Sequence, residues 1–226
     1  MDYLLKNPVY NALLSGDANL GFGNERAKYF AEEISPFAGF DDGDTQGFHE
    51  LFQMLPSSRK ILYATPGLIK EPAGWQLLNE IKGLQFILDK IAATDYIGVE
   101  PMPLQKENVE EMVQLATLTK PGPFAHRTIE FGHYYGIIEN GRLVAMTGQR
   151  LHLTRYTEVS AVCTHPDYVG HGYAAALVQH QISLIHNQGQ IPFLHVRADN
   201  VRAIALYKRL GFKISRPMNF YFLKRR

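Results

Sequence analysis

The chain has 226 residues, 46% hydrophobic and 20% charged, an ordinary globular balance that excludes wholesale disorder and collagen-like or low-complexity architecture. At roughly 100–150 residues per compact unit, that length suits two domains. The formal net charge of +1 divides unevenly: residues 1–92 carry 8 Lys/Arg against 12 Asp/Glu and residues 93–226 carry 15 against 10, so the second part is the better host for an anion.

That excess is too small to indicate nucleic acid, and the basic end Lys224-Arg225-Arg226 reads as a solvated tail. No run approaches ~18 consecutive apolar residues, so no membrane-spanning helix is expected. The start, Met1-Asp2-Tyr3-Leu4-Leu5-Lys6-Asn7-Pro8, has an early acid and no apolar signal core. A single cysteine, Cys163, excludes an internal disulfide and a Cys-based zinc site; the nine His show no HExxH and no close ligand cluster, so no metal is expected. A cytoplasmic protein, monomer or homodimer, with no nucleic-acid or membrane partner, is the expectation.

In chain order, Leu4, Leu5, Tyr10, Leu13 and Leu14 have loosely helical spacing, and Gly21, Gly23 and Asn24 punctuate two short extended pieces. Phe48, Leu51, Phe52 and Leu55 predict a helix over 45–55. Ile61–Ala64 reads as a strand, Trp75, Leu77 and Leu78 as a short helix, and Leu84–Leu88 as a strand. The aperiodic stretch 92–103, with prolines at 101 and 103, sets a domain boundary: residues 1–95 form a smaller α/β domain and 96–226 a second. Helices are predicted over 106–118 and 124–131. A hairpin follows, with strands 134–138 and 143–147 around Asn140-Gly141. A strand over 157–164 leads through Gly170-His171-Gly172 into a helix over 173–187, followed by strand 192–196, an Asn200-capped helix over 201–210 ended by Gly211, and strand 220–223.

The turn Val169-Gly170-His171-Gly172-Tyr173-Ala174 is the informative segment. A strand that stops at a two-glycine turn and opens a long helix leaves several N–H groups pointing one way, at the positive end of the helix dipole, where a pyrophosphate is a natural guest. A tight turn without a ligand remains open on this segment alone. The Gly spacing lacks the Gly-Lys-Ser/Thr of a nucleotide P-loop, and Ala175 stands where a dinucleotide fingerprint needs its third glycine. No Gly-x-Ser-x-Gly elbow occurs.

The turn resembles the Gln/Arg-x-x-Gly-x-Gly/Ala signature of the GCN5-related N-acetyltransferase (GNAT) superfamily, FR47-like branch. A second mark of that family, an Asn followed by a Tyr-x-x-x-Gly-Phe helix, reads here Asn200 to Phe212, with Tyr207, Gly211 and Phe212 in place. The resemblance covers about 128–223. It implies a mixed twisted sheet flanked by helices (α/β, α+β), preceded by a segment similar to the one that precedes other FR47-like domains. That segment is read as a degenerate half of the same fold, covering one side of the acceptor cleft; an unrelated small α/β domain is the alternative.

The resemblance further implies transfer of an acyl group, most simply acetyl from acetyl-CoA, to a primary amine of a small molecule or peptide. Implied cofactor contacts are Val162, Cys163, Thr164, Val169, Gly170, His171, Gly172, Tyr173, Ala174, Asn200, Ala203 and Tyr207. Val162 is expected to offer its N–H to the thioester oxygen and Tyr207 to protonate the thiolate. Glu158 is the candidate general base, with a pKa raised by half-burial; an exposed Glu at a strand start is the alternative. Period 2 places Glu158, Ser160, Val162 and Thr164 on one face and Cys163 on the other, as a core residue. Asn200 is compatible with a plain N-cap, Arg202 with a phosphate contact or a solvated face. Val169 departs from the signature's Arg/Gln, and His171 is expected to replace it in part. Phe131, Tyr134, Arg150, His152 and Tyr221 are candidates for acceptor binding. Two rivals stay open: a non-catalytic coenzyme A-binding protein, and an amino acid N-acyltransferase using a longer acyl-CoA.

Overall fold

The computed structural model describes residues 3–90 and 98–226; the expected boundary at 95/96 lies outside them. Helix α1 (Pro8–Leu13) starts at Asn7, whose Oδ1 accepts from the Tyr10 N–H. Strands β1 (Gly21–Gly23), β2 (Ala27–Phe30) and β3 (Ala38–Phe40) form a small antiparallel sheet, with α2 (Gly47–Met54) after it.

The remaining strands are β4 (Lys60–Thr65), β5 (Trp75–Ile87), β6 (Met102–Pro103), β7 (Tyr135–Glu139), β8 (Arg142–His152), β9 (Tyr156–Thr164), β10 (Ile191–Arg197) and β11 (Lys213–Arg225). They make one eight-stranded sheet in the order β4-β11-β5-β10-β9-β8-β7-β6, in which β9 and β10 run parallel. Helices α3 (Val109–Thr119), α4 (Tyr173–Asn187) and α5 (Val201–Arg209) complete the order. Strand β5 inserts between β10 and β11, so the sheet runs without a break through both segments assigned to separate domains.

Met112, Leu115 and Ala116 of α3 pack in one core cluster with Met146 and Cys163. Ala175, Val178, Ile182 and Ile185 of α4 form another with Phe86, Val159 and Leu194. The hairpin turns through Asn140 (φ 52°) and Gly141 (φ 75°), the pair of positive φ values that a two-residue hairpin loop demands.

Two expectations are corrected. Residues 75–78 are extended, not helical, and belong to a single 13-residue strand that runs on through 84–87. Only residues 83–87 of β5 pair with β10, while 75–82 pair with β11 alone. The half-open first part therefore carries polar residues that mask the strand period. The helix expected over 124–131 shrinks to a 3-10 turn at Thr128–Phe131.

Candidate active site

Strand β9 is the centre of the site. Its parallel pairing with β10 ends at Phe193 opposite Glu158, and beyond that point no further β9–β10 pairs form among the described residues. On the other side, the register with β8 jumps from Met146↔Cys163 to Gly148↔Ser160, and Ala161 takes φ 52°. Ala161 and Val162 therefore stand opposite Thr147 alone, a β-bulge that bends the strand.

The bulge also shifts the side-chain phase. Val162 packs with the cluster that holds Val159, whereas Cys163 joins the α3 cluster. The expectation that Glu158 and Val162 share a face is corrected for this reason: an extra residue between them breaks period 2.

A cleft of about 1060 Å³ fills the opening. Its floor is Val159 to Thr164, and one end is the turn before α4. There Gly170 and Gly172 adopt φ 101° and 84°, values an L side chain rarely takes. Helix α4 has no side-chain cap at Gly172 and no acid in its first turn. Its orphan N–H groups and dipole form an anion cradle. Val169, 38% exposed, lines the cleft without supplying a charge. His171 lies in the turn but outside the lining of the cleft. Its Nδ1 lies 3.0 Å from the Tyr168 carbonyl, and its ring packs on Tyr168 and Tyr173. The lining cations are Lys120, Arg150, Arg197, Arg202 and Arg209.

Along the cleft, the buried Oγ1 of Thr164 has no protein partner. Asn200 caps α5 by accepting from the Ala203 N–H at 3.1 Å, and it lines the cleft as well. Tyr207 is 6% exposed, lines the cleft and packs on Phe86 and Phe212. Burial, reinforced by Cys163 and Glu158, pushes its phenol pKa above the usual range. Cys163 is buried and its thiol is pushed up to about 11, which keeps it un-ionised and fits a core role.

At the far end stands a buried polar chain. Arg150 Nε and Nη2 donate to Glu158 Oε2 and Oε1, each at 2.9 Å, and His195 Nδ1 lies 2.8 Å from Oε1. Gln85 Nε2 donates to the Leu5 carbonyl at 2.9 Å and sits 3.0 Å from His195 Nε2. With Gln85 Nε2 as the donor that ring nitrogen accepts, which assigns the hydrogen of His195 to Nδ1, on the side of Glu158. Glu158 itself is 0% exposed and is not among the cleft-lining residues. Burial alone would raise its pKa, but Arg150 and His195 outweigh it and hold the carboxyl at about 2. The expectation of a raised pKa is thus corrected: the Arg150 charge and the hydrogen bonds from Arg150 and His195 win over desolvation.

Of the residues expected to bind the acceptor, Arg150 lines the cleft and the other four do not. Phe131 packs edge-on against Phe30 in the core. Tyr134 covers Gly148, where a Cβ would come within 2.3 Å of its ring. His152 is tied to Asp17, Nδ1 to Oδ1 at 2.6 Å. Tyr221 is buried in a separate cluster with Trp75 and Phe40, while its neighbours Phe220 and Phe222 line the cleft. The strand was located correctly, but alternation turns the odd residue away. Phe37, Leu62, Ile81 and His195 also line the cleft and escaped the sequence reading.

The β9–β10 splay and the uncapped N-terminus of α4 thus border the same cleft. The family model described as FR47-like protein matches residues 134–221. Over its whole length the chain is 33% identical to a putative acetyltransferase of the GNAT family from Novosphingobium aromaticivorans, all of which it covers, with a TM-score of 0.90. A GCN5-related N-acetyltransferase from Kribbella flavida, 15% identical, shares the fold at a TM-score of 0.64 over 99% of this chain and 96% of that one. The Escherichia coli ribosomal protein bS18-alanine N-acetyltransferase is 34% identical over 79 residues, 34% of this chain and 53% of that protein. The chain thus spans about half the length of the curated relatives it matches. It belongs to the GNAT family. An acyl-CoA-dependent acetyl transfer to an amine is the kind of reaction that this family carries out.

Proposed function

We propose that the protein transfers an acetyl group from acetyl-CoA to a primary amine of a small molecule or peptide, both held together in the cleft. The coincidence of the β9–β10 splay with the bulge at Ala161 carries this reading, because it opens one strand edge along the cleft that ends at the α4 cradle. Acetyl-CoA supplies the activated thioester. The amides of Gly170 to Ala174 hold its pyrophosphate, assisted by Arg202. Val162, Cys163, Thr164, Asn200 and Ala203 contact the pantetheine arm, and the unpartnered Thr164 Oγ1 gains a partner there.

The Val162 N–H donates to the thioester oxygen, a contact that strengthens as charge develops. The amine nitrogen, attacking as the neutral amine, forms a bond to the carbonyl carbon and the carbon–sulfur bond breaks, while the proton shed by nitrogen passes to water in the cleft and water in turn supplies the proton that ends on the thiol. The Tyr207 hydroxyl donates to the departing sulfur. Glu158 acts as a positioning residue that fixes Arg150 and His195. Residues Phe37, Leu62 and Ile81 of the first segment wall the acceptor side.

The direct test is thiol release from acetyl-CoA against a panel of amino acids, polyamines, aminoglycosides and peptides, with turnover expected for at least one class. Gly172→Glu should abolish acetyl-CoA binding in calorimetry while the protein stays folded, since it brings bulk and like charge to the cradle and loses a positive-φ glycine. Unchanged affinity in that variant would remove the turn from the site.

A further inference from the structure

The acceptor end of the cleft is chemically one-sided. None of the side chains lining it among the described residues is Asp or Glu. A polyamine or aminoglycoside would therefore find no carboxylate on these walls. Arg150 instead offers a cation. Its side chain is 13% exposed, and Glu158 occupies Nε and Nη2, leaving Nη1 without a protein acceptor among the described residues. The fork is held rigidly: the Glu158 pair fixes one edge and the Phe37 ring lies 4.9 Å from Cζ.

Around it the wall is apolar and continuous. Phe37 bridges to Leu62, Leu62 stands opposite Phe222, and Phe220 stands opposite Ile81. His195 closes the wall, its ring 5.3 Å from that of Phe220. A preset guanidinium edge with unsatisfied donors beside an aromatic wall suits a ligand that carries one carboxylate and one apolar group.

Resting on the acetyltransferase reading, we propose that the acceptor is a free α-amino acid with an apolar side chain. Its carboxylate takes the open edge of Arg150 and its side chain lies against Phe37, Leu62 and Phe220. The zwitterion adds no net charge to a cleft that has no carboxylate to balance a polycation.

The protein saturated with coenzyme A is titrated calorimetrically with L-phenylalanine, L-leucine, L-phenylalaninamide, phenethylamine, spermidine and a phenylalanine-led tripeptide. The two free amino acids should bind at least about tenfold more tightly than the four other ligands, as expected for a charge-assisted bidentate contact. Arg150→Lys should shrink that preference to about twofold or less; if the variant does not fold, the preference in the unaltered protein decides. An amide, spermidine or peptide bound as tightly as the free acid, or no binding of any of the six, would overturn the proposal and leave the acetyltransferase reading intact. Absence of coenzyme A binding in the loading step would remove the acetyltransferase reading, and this proposal with it.

Discussion

Replacing Glu158 by Gln is expected to destabilise the protein by about 3–5 kcal/mol, the usual cost of removing one partner of a buried ion pair. The carboxylate is fully buried, accepts from Nε and Nη2 of Arg150 and lies 2.8 Å from His195 Nδ1. The neutral amide leaves Arg150 a buried cation without its counter-ion. Urea unfolding at neutral pH reads the loss directly. The pH dependence carries the same sign. The folded-state pKa, about 2, lies below the ordinary Glu value, so the unfolded chain binds the proton more readily. The pair's contribution is therefore complete above the unfolded-state value near ~4.3 and fades as pH falls towards ~2. The Gln variant should lack that acid-side slope. In the fraction that folds, the acceptor KM should rise more than kcat falls, because a positioning residue acts through Arg150 and His195. Unchanged stability combined with a kcat defect that eases at high pH would instead make Glu158 the base.

The sequence is legible where the signal is local and opaque where the site is assembled across distance. The α4 boundaries, the Asn-Gly hairpin and the Asn200 cap follow from residues within one or two turns of each other, and the structure has them at Tyr173–Asn187, at Asn140-Gly141 and at α5. The long reach of β11 was hidden by Arg216 and Pro217. A register shift between Ile214 and Arg216 accommodates them, and the strand runs to both sides of the four-residue core seen in the sequence. β5 has no local signal of its place in the sheet, since its insertion between β10 and β11 depends on residues more than a hundred positions away.

The site shows the same contrast. Gly170, Gly172 and Asn200 stand out by spacing. The Arg150–Glu158–His195–Gln85 chain does not, because Gln85 and His195 are separated by 110 positions. Even inside β9, one extra residue at Ala161 was enough to turn Val162 away from the face that strict alternation assigned to it. The sequence does hold a cue for Phe220 and Phe222: an aromatic run in a strand has two faces, so Tyr221 and its two neighbours point to opposite sides.

For Tyr207→Phe, turnover is expected to fall by roughly 10²–10⁴-fold with acetyl-CoA affinity nearly unchanged. The substitution keeps the ring between Phe86 and Phe212, so the packing of α5 on the sheet survives. What disappears is one hydroxyl on a residue that lines the cleft. A neutral thioester sulfur barely uses a hydrogen-bond donor, whereas a departing thiolate does, so the loss falls on kcat more than on binding. The pH profile separates this role from a titrating acid of ordinary strength. Burial raises the phenol pKa above its usual value, so the group stays protonated throughout the neutral range, and no alkaline loss of rate from Tyr207 should appear below about pH 10. Its phenolate is the disfavoured form in that setting, so the hydroxyl serves the departing sulfur as a hydrogen-bond donor that keeps its own proton. Steady-state kinetics of thiol release between pH 6 and 10, paired with calorimetry of acetyl-CoA binding, checks both parts. Full activity in a variant with lowered stability would make Tyr207 a packing residue. A matched loss of affinity and turnover would place its hydroxyl on the resting cofactor rather than on the leaving sulfur.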